Sequence, residues 1–151
     1  FRLMREGPED ELKLTENAQP AIMAHSLGVL RAWGVSVADT ADFVAGHSLG
    51  EYSALAAAGA FDLATTAKLL KLRGQAMQRA VPVGQGAMAA LLGTDLDLAQ
   101  RIAATAAEGE VCEVANDNDP SQVVLSGHKA AIDRALGLAK EMGAKRAVAL
   151  P

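Results

Sequence analysis

The chain has 151 residues, half of them apolar, 3% aromatic and 21% charged, with a formal net charge of −4. One domain is the usual prior for that length, its core built mostly from Ala, Leu and Val, and the apolar content excludes a disordered segment. No basic stripe points to nucleic acid, and with Cys112 as the sole cysteine there is neither an intrachain disulfide nor a Cys/His zinc pattern.

Residues 7–19 are polar and rich in turn formers. Pro20 suits the first turn of a helix, so Ala21 to Trp33 is expected to be helical, closed by Gly34. Asp42 to Gly46 is short, apolar and glycine-bounded, the pattern of a buried strand in a parallel sheet. An Ala/Leu-rich helix is predicted over Glu51–Ala58, ending at Gly59. Asp62 can cap a further helix from Leu63 to about Ala80. Pro82, Gly84 and Gly86 then interrupt the chain and place a boundary between 83 and 84. Beyond it, Ala87–Leu92 reads as a strand and Leu96–Ala107 as a helix. Val111–Ala115 is a second strand, followed by the turn-forming run Asn116 to Pro120. Gln122–Leu125 is a third strand, Lys129–Met142 a helix and Ala144–Leu150 a last strand. The order β-α-β-β-α-β is that of a ferredoxin-like unit.

No apolar run is long enough to span a bilayer. The start, Phe1-Arg2-Leu3-Met4-Arg5, is no secretion leader, so the cytoplasm is the default compartment. The chain opens without an initiator Met and closes at Val148-Ala149-Leu150-Pro151, in strand-like sequence. Both ends suggest a piece of a longer protein.

Gly46-His47-Ser48-Leu49-Gly50 fits Gly-x-Ser-x-Gly, the turn that lifts a nucleophilic serine out of a strand-to-helix junction. A strand candidate before it and a helix after it raise the match above chance. The glycines leave room for a sharp bend. The helix N-terminus behind the serine carries free N–H groups and a partial positive charge, so Leu49 N–H can donate to a developing oxyanion. Ser48 as a plain helix cap is the competing reading. A serine nucleophile needs a base, and His25, His47 and His128 are weak candidates. His47 is adjacent to the serine and points elsewhere on a tight turn; it is expected to pack beside the elbow. His25 is mid-helix, and His128 opens a helix.

Arg73 lies 25 residues beyond Ser48. About ten residues of helix lead away from the serine and about eleven lead back, each covering about 15 Å. Antiparallel packing thus returns Arg73 to the level of Ser48. It falls at the edge of the apolar stripe Leu63, Thr66, Leu70, Gly74 and Met77, apart from Lys68, Lys71 and Arg79. A guanidinium there wants an anion, ideally a carboxylate gripped by two hydrogen bonds. A carboxylate of the protein itself is an equally open partner.

Gly46-His47-Ser48-Leu49-Gly50-Glu51-Tyr52-Ser53-Ala54-Leu55, Leu72-Arg73-Gly74 and Gly84-Gln85-Gly86-Ala87-Met88-Ala89-Ala90 together resemble the malonyl-CoA:acyl carrier protein transacylases. So do Thr15-Glu16-Asn17-Ala18-Gln19-Pro20-Ala21 and the run from Asn116 to Gly127. The resemblance covers essentially the whole chain, in order. It implies an α/β fold: residues 1–83 as an incomplete α/β-hydrolase-like core and 84–151 as an inserted ferredoxin-like βαββαβ subdomain. It implies Ser48 as the acylated nucleophile, Leu49 N–H as half of the oxyanion hole and Arg73 as the grip on the malonyl carboxylate. Asn116, Asn118, Gln19 and His47 resemble positions lining the site. Plain turn chemistry also accounts for the two asparagines, and a polar residue ahead of a helix accounts for Gln19. Malonyl-CoA is the substrate and acyl carrier protein the acceptor. Neither a cofactor nor a metal is implied, and a monomer is the default. The family's glutamine-containing oxyanion loop, which precedes this region, and its catalytic histidine, which follows it, have no counterpart here. The chain alone is therefore expected to be weakly active or inert. Two rivals remain: a serine thioesterase or esterase, which shares the elbow but has no special use for Arg73, and a non-catalytic module that binds carrier protein. For the latter, Lys68, Lys71 and Arg79 form either a docking patch or a solvated helix face.

Overall fold

The structure, a computed structural model, describes residues 1–150. The chain divides into two compact units, Phe1–Ala80 and the part from Val81 onward.

The first unit is helical: α1 (Arg2–Glu6), α2 (Glu9–Lys13), α3 (Thr15–Trp33), α4 (Val37–Thr40), α5 (Leu49–Ala57) and α6 (Leu63–Ala80). Two sequence expectations fail here. The polar run 7–19 is not a loop, because α2 forms within it and α3 starts at Thr15 with Pro20 inside. Side chains hold that extra turn. Asn17 Nδ2 donates to the Glu11 carbonyl at 2.8 Å, and Lys71 Nζ on α6 donates to Asn17 Oδ1 at 2.9 Å. Gly74 of α6 lies so close to Glu16 and the Thr15 carbonyl that no Cβ would fit between the helices. The second failure is the strand at 42–46. The segment has no ladder partner and is exposed, Phe43 by 92%. A strand needs a neighbour to satisfy its backbone, and among the described residues this unit contains no other strand.

Helix α6 forms as its pattern predicts. Asp62 Oδ1 accepts from Thr65 N–H at 2.6 Å, which caps the helix. That backbone hydrogen bond holds the Asp62 carboxyl below its ordinary range. Of the predicted apolar stripe, Thr66, Leu70 and Gly74 are buried.

The second unit runs β1 (Gly86–Leu92), α7 (Leu96–Ala107), β2 (Cys112–Asp119), β3 (Gln122–His128), α8 (Lys129–Glu141) and β4 (Arg146–Leu150). Its sheet is antiparallel throughout, in the order β2-β3-β1-β4. Alternate residues Ala89 and Leu91 on β1, and Val123 and Leu125 on β3, join Ala99, Ile102 and Ala106 of α7 and Ile132, Ala135 and Ala139 of α8 in one core. The small side chains let the helices sit close to the sheet. The run 116–119 is not a turn: Asn116 and Asn118 lie within β2. The ladder shifts at Val114/Asn116 and at Asp117/Asp119, and such irregularities accommodate residues that otherwise disfavour strands. The turn itself is Pro120-Ser121, where Asp119 Oδ1 accepts from Ser121 N–H at 2.7 Å.

Candidate active site

Ser48 joins the irregular segment 41–47 to α5, with φ 55° and ψ −117°. Side-chain-bearing residues rarely adopt such a backbone, and one held there stores on the order of 1–3 kcal/mol. The turn is tight. Gly50 N–H donates to the His47 carbonyl at 2.9 Å and Glu51 N–H to the Ser48 carbonyl at 3.2 Å. A Cβ on Gly46 would run into the backbone of Gly50 and Glu51. The chain thus enters α5 over the helix's own first turn, and glycine alone fits. Gly46→Ala must displace the elbow, and a misplacement near 1 Å slows a positioned reaction about 100-fold. The expected result is that loss in the acylation rate of the full-length protein, followed by intact mass spectrometry, with helical content by circular dichroism preserved.

The structure does not show Ser48 as the plain helix cap that its sequence context allowed. The hydroxyl makes no cap hydrogen bond to α5. Instead it accepts from Nη2 of Arg73 at 2.9 Å. The first N–H groups of the helix therefore stay free of the serine hydroxyl. Leu49 N–H makes no backbone hydrogen bond among the described residues. It begins the helix where the macrodipole is positive.

Arg73 is half-buried on α6, and its Nη1 donates to Gln19 Oε1 at 2.6 Å. Among the described residues it joins no ion pair; the cations that do are Lys13, Lys71, Lys129 and Arg134. The protein carboxylate that sequence allowed as its partner is not there. Its neighbours are a hydroxyl and a neutral amide, so the positive charge beside Ser48 is uncompensated. Gln19 is 3% exposed and sits within α3, not ahead of it. Its Nε2 donates to Thr15 Oγ1 at 2.8 Å and to Met77 Sδ at 3.2 Å. Sequence reading missed Thr15 and Met77. The i,i+4 spacing of Thr15 and Gln19 was the available signal, and it acquires meaning once α3 is known to begin at Thr15.

Among the described residues, no histidine hydrogen-bonds the Ser48 hydroxyl. His47 is exposed and borders an open apolar groove of about 760 Å³, lined also by Ile22, Leu30, Trp33, Val44 and Ala54. His25 is exposed on α3. His128, in the second unit, accepts from Val111 N–H through Nδ1 at 3.0 Å. Lys71 is engaged by Asn17 and by Glu16 at 3.4 Å, leaving Lys68 and Arg79 as the exposed cations of α6. In the second unit Asn116 is half-buried and Asn118 exposed. Cys112 is buried, which pushes its thiol pKa up and suits it to the core. No metal-binding cluster of His, Cys, Asp or Glu occurs among the described residues.

The family described as acyl transferase domain matches residues 1–149. The malonyl CoA-acyl carrier protein transacylase of Escherichia coli (strain K12) is 46% identical over 151 residues, 100% of this chain and 49% of that protein. A solved structure of the malonyl CoA-acyl carrier protein transacylase from Coxiella burnetii is similar at TM-score 0.90 and 43% identity, covering 99% of this chain and 48% of that one. A type II PKS acyl-carrier protein in complex with its malonyl-transacylase, in the holo form, provides another match at TM-score 0.86 and 42% identity, over 99% of this chain and 48% of that one. The chain spans about half the length of the relatives it matches.

Proposed function

Since the chain belongs to the acyl transferase domain family, we propose that it carries the nucleophile and the acyl-group clamp of a malonyl-CoA:acyl carrier protein transacylase of fatty acid biosynthesis. One observation carries this reading: the Arg73 guanidinium, with no carboxylate partner among the described residues, hydrogen-bonds the Ser48 hydroxyl at 2.9 Å. A carboxylate-bearing acyl group on Ser48 meets that charge directly.

Ser48 Oγ attacks the thioester carbonyl carbon of malonyl-CoA. An oxygen–carbon bond forms, and Leu49 N–H with a second donor holds the oxyanion. The carbon–sulfur bond then breaks, coenzyme A leaves as the thiol, and a malonyl-serine ester remains. The phosphopantetheine thiol of acyl carrier protein attacks that ester, takes the malonyl group and returns the Ser48 hydroxyl, a two-step path through a covalent intermediate. Arg73 is donor-only and cannot take the Ser48 proton. The base therefore comes from outside these residues. The guanidinium fork selects malonyl over acetyl, because an acyl group without a carboxylate leaves the charge unpaired.

In this reading residues 1–83 contribute to an α/β-hydrolase-like core. The apolar groove beside Val44 supports it, as does segment 42–46, which has the composition of a strand and no ladder partner. Residues 84–151 form a ferredoxin-like subdomain, supported by the βαββαβ order and the sheet order β2-β3-β1-β4. His47 packs beside the elbow, supported by its place on the rim of that groove. The carrier-protein partner is supported by the solved complex.

The test is intact mass spectrometry of the full-length protein mixed with malonyl-CoA, then with holo acyl carrier protein. The expected result is a malonyl adduct that carrier protein removes. Discharge by water alone would mean a hydrolase. Carrier binding with no adduct would mean a non-catalytic module.

A further inference from the structure

We infer that Gln19 is the positioning residue of the Arg73 clamp: a neutral acceptor, locked by Thr15 and Met77, that aims the guanidinium without neutralising it. The inference rests on the reading of Arg73 as the group that grips the acyl carboxylate, and it assigns Gln19 an action through Arg73 in place of direct contact with substrate.

Three neighbours impose one orientation on the buried amide. A guanidinium has donors and no acceptor, so it takes the amide oxygen, here at 2.6 Å. A thioether sulfur offers only a weak acceptor, so Met77 Sδ takes the amide nitrogen, at 3.2 Å. Thr15 Oγ1 accepts the other amide hydrogen at 2.8 Å. Turning the amide over would set its NH₂ against the guanidinium. With 3% of its surface exposed, both amide hydrogens given to protein acceptors and its oxygen held by the guanidinium, Gln19 acts on Arg73. The backbone holds this arrangement in place. The first turn of α3 rests on Gly74, the residue after Arg73, with no space for a Cβ between them.

Neutrality is the functional point. A carboxylate at position 19 would pair with Arg73 and spend the charge inside the protein. The amide takes one of the five guanidinium N–H groups and Ser48 another. The remainder, and the full positive charge, stay available for a carboxylate held by the fork.

The experiment compares kcat and KM for malonyl-CoA and acetyl-CoA in the full-length protein and its variants. Gln19→Glu is expected to raise KM for malonyl-CoA about ten-fold or more and to lower the malonyl-to-acetyl ratio of kcat/KM with it. Thr15→Val, which keeps the shape and removes the acceptor, is expected to lower the malonyl-to-acetyl ratio about five-fold or more, and Thr15→Ser to restore it. A merely structural role would depress both substrates together along with Tm, and that result overturns the inference. Arg73→Ala, measured in parallel, separates the two levels. If Arg73→Ala keeps the malonyl preference, the clamp reading fails and this inference with it. If Arg73→Ala loses the preference while Gln19→Glu and Thr15→Val retain the wild-type ratio, the positioning role alone falls.

Discussion

Ser48→Ala in the full-length protein should yield no malonyl adduct and slow transfer by at least ~10⁴-fold, the scale of loss when a covalent nucleophile is removed from a serine site. The expectation rests on geometry as well as on pattern. A helix-capping serine would lose little activity as alanine, but this hydroxyl does not cap α5; it faces Arg73 at 2.9 Å. The backbone adds an independent readout. Ser48 is held at φ 55°, which glycine adopts freely and alanine does not. Ser48→Gly should therefore be as inactive as Ser48→Ala yet more stable than it by about 1 kcal/mol, measured by urea denaturation. An active Ser48→Ala protein would falsify the nucleophile assignment. Equal stability of the two variants would remove the claim of strain at the elbow.

Arg73→Ala should lose malonyl transfer while sparing what little acetyl transfer exists. Truncating one partner of a buried, hydrogen-bonded charge pair costs about 2–5 kcal/mol, roughly 30- to 5,000-fold in kcat/KM for malonyl-CoA. Arg73→Lys keeps a charge but not the planar fork, so it should fall between the two. The measurement is kcat/KM for malonyl-CoA and acetyl-CoA side by side. Parallel losses for both substrates would reduce Arg73 to a structural or oxyanion role. The absence of a carboxylate at Arg73 among the described residues favours the selective outcome, because the substitution breaks no ion pair among them.

The elbow was readable because its requirements are local. Gly46 must lack a Cβ where the chain crosses the first turn of its own helix, and that constraint acts over a few residues. The return of Arg73 to Ser48 was nearly as local, since two helices of similar length joined by a short turn bring their far ends together. The βαββαβ order followed from alternation on the strands and from the apolar faces of α7 and α8. Where the reading failed, the deciding contact came from far along the chain. Thr15 to Gln19 read as part of a polar, turn-rich run because their helical turn is stabilised by Lys71 and by the seat at Gly74, more than fifty residues away. Residues 42–46 have strand composition, but a strand exists only with a partner. Asn116 and Asn118 carry turn chemistry, yet the hairpin closes later, at Pro120-Ser121, and the ladder absorbs them through its irregularities.

The same division separates the parts of the site. Residue types and spacing sufficed to expect Ser48 at the start of α5 and Arg73 beside it, as the structure has them, because bond geometry and helix rise are nearly independent of context. The tertiary structure alone revealed that the arginine meets no carboxylate among the described residues, and that Gln19 is held against it by Thr15 and Met77. A charge is compensated or left open by what the rest of the fold brings within about 4 Å of it, and no local pattern of residues encodes that.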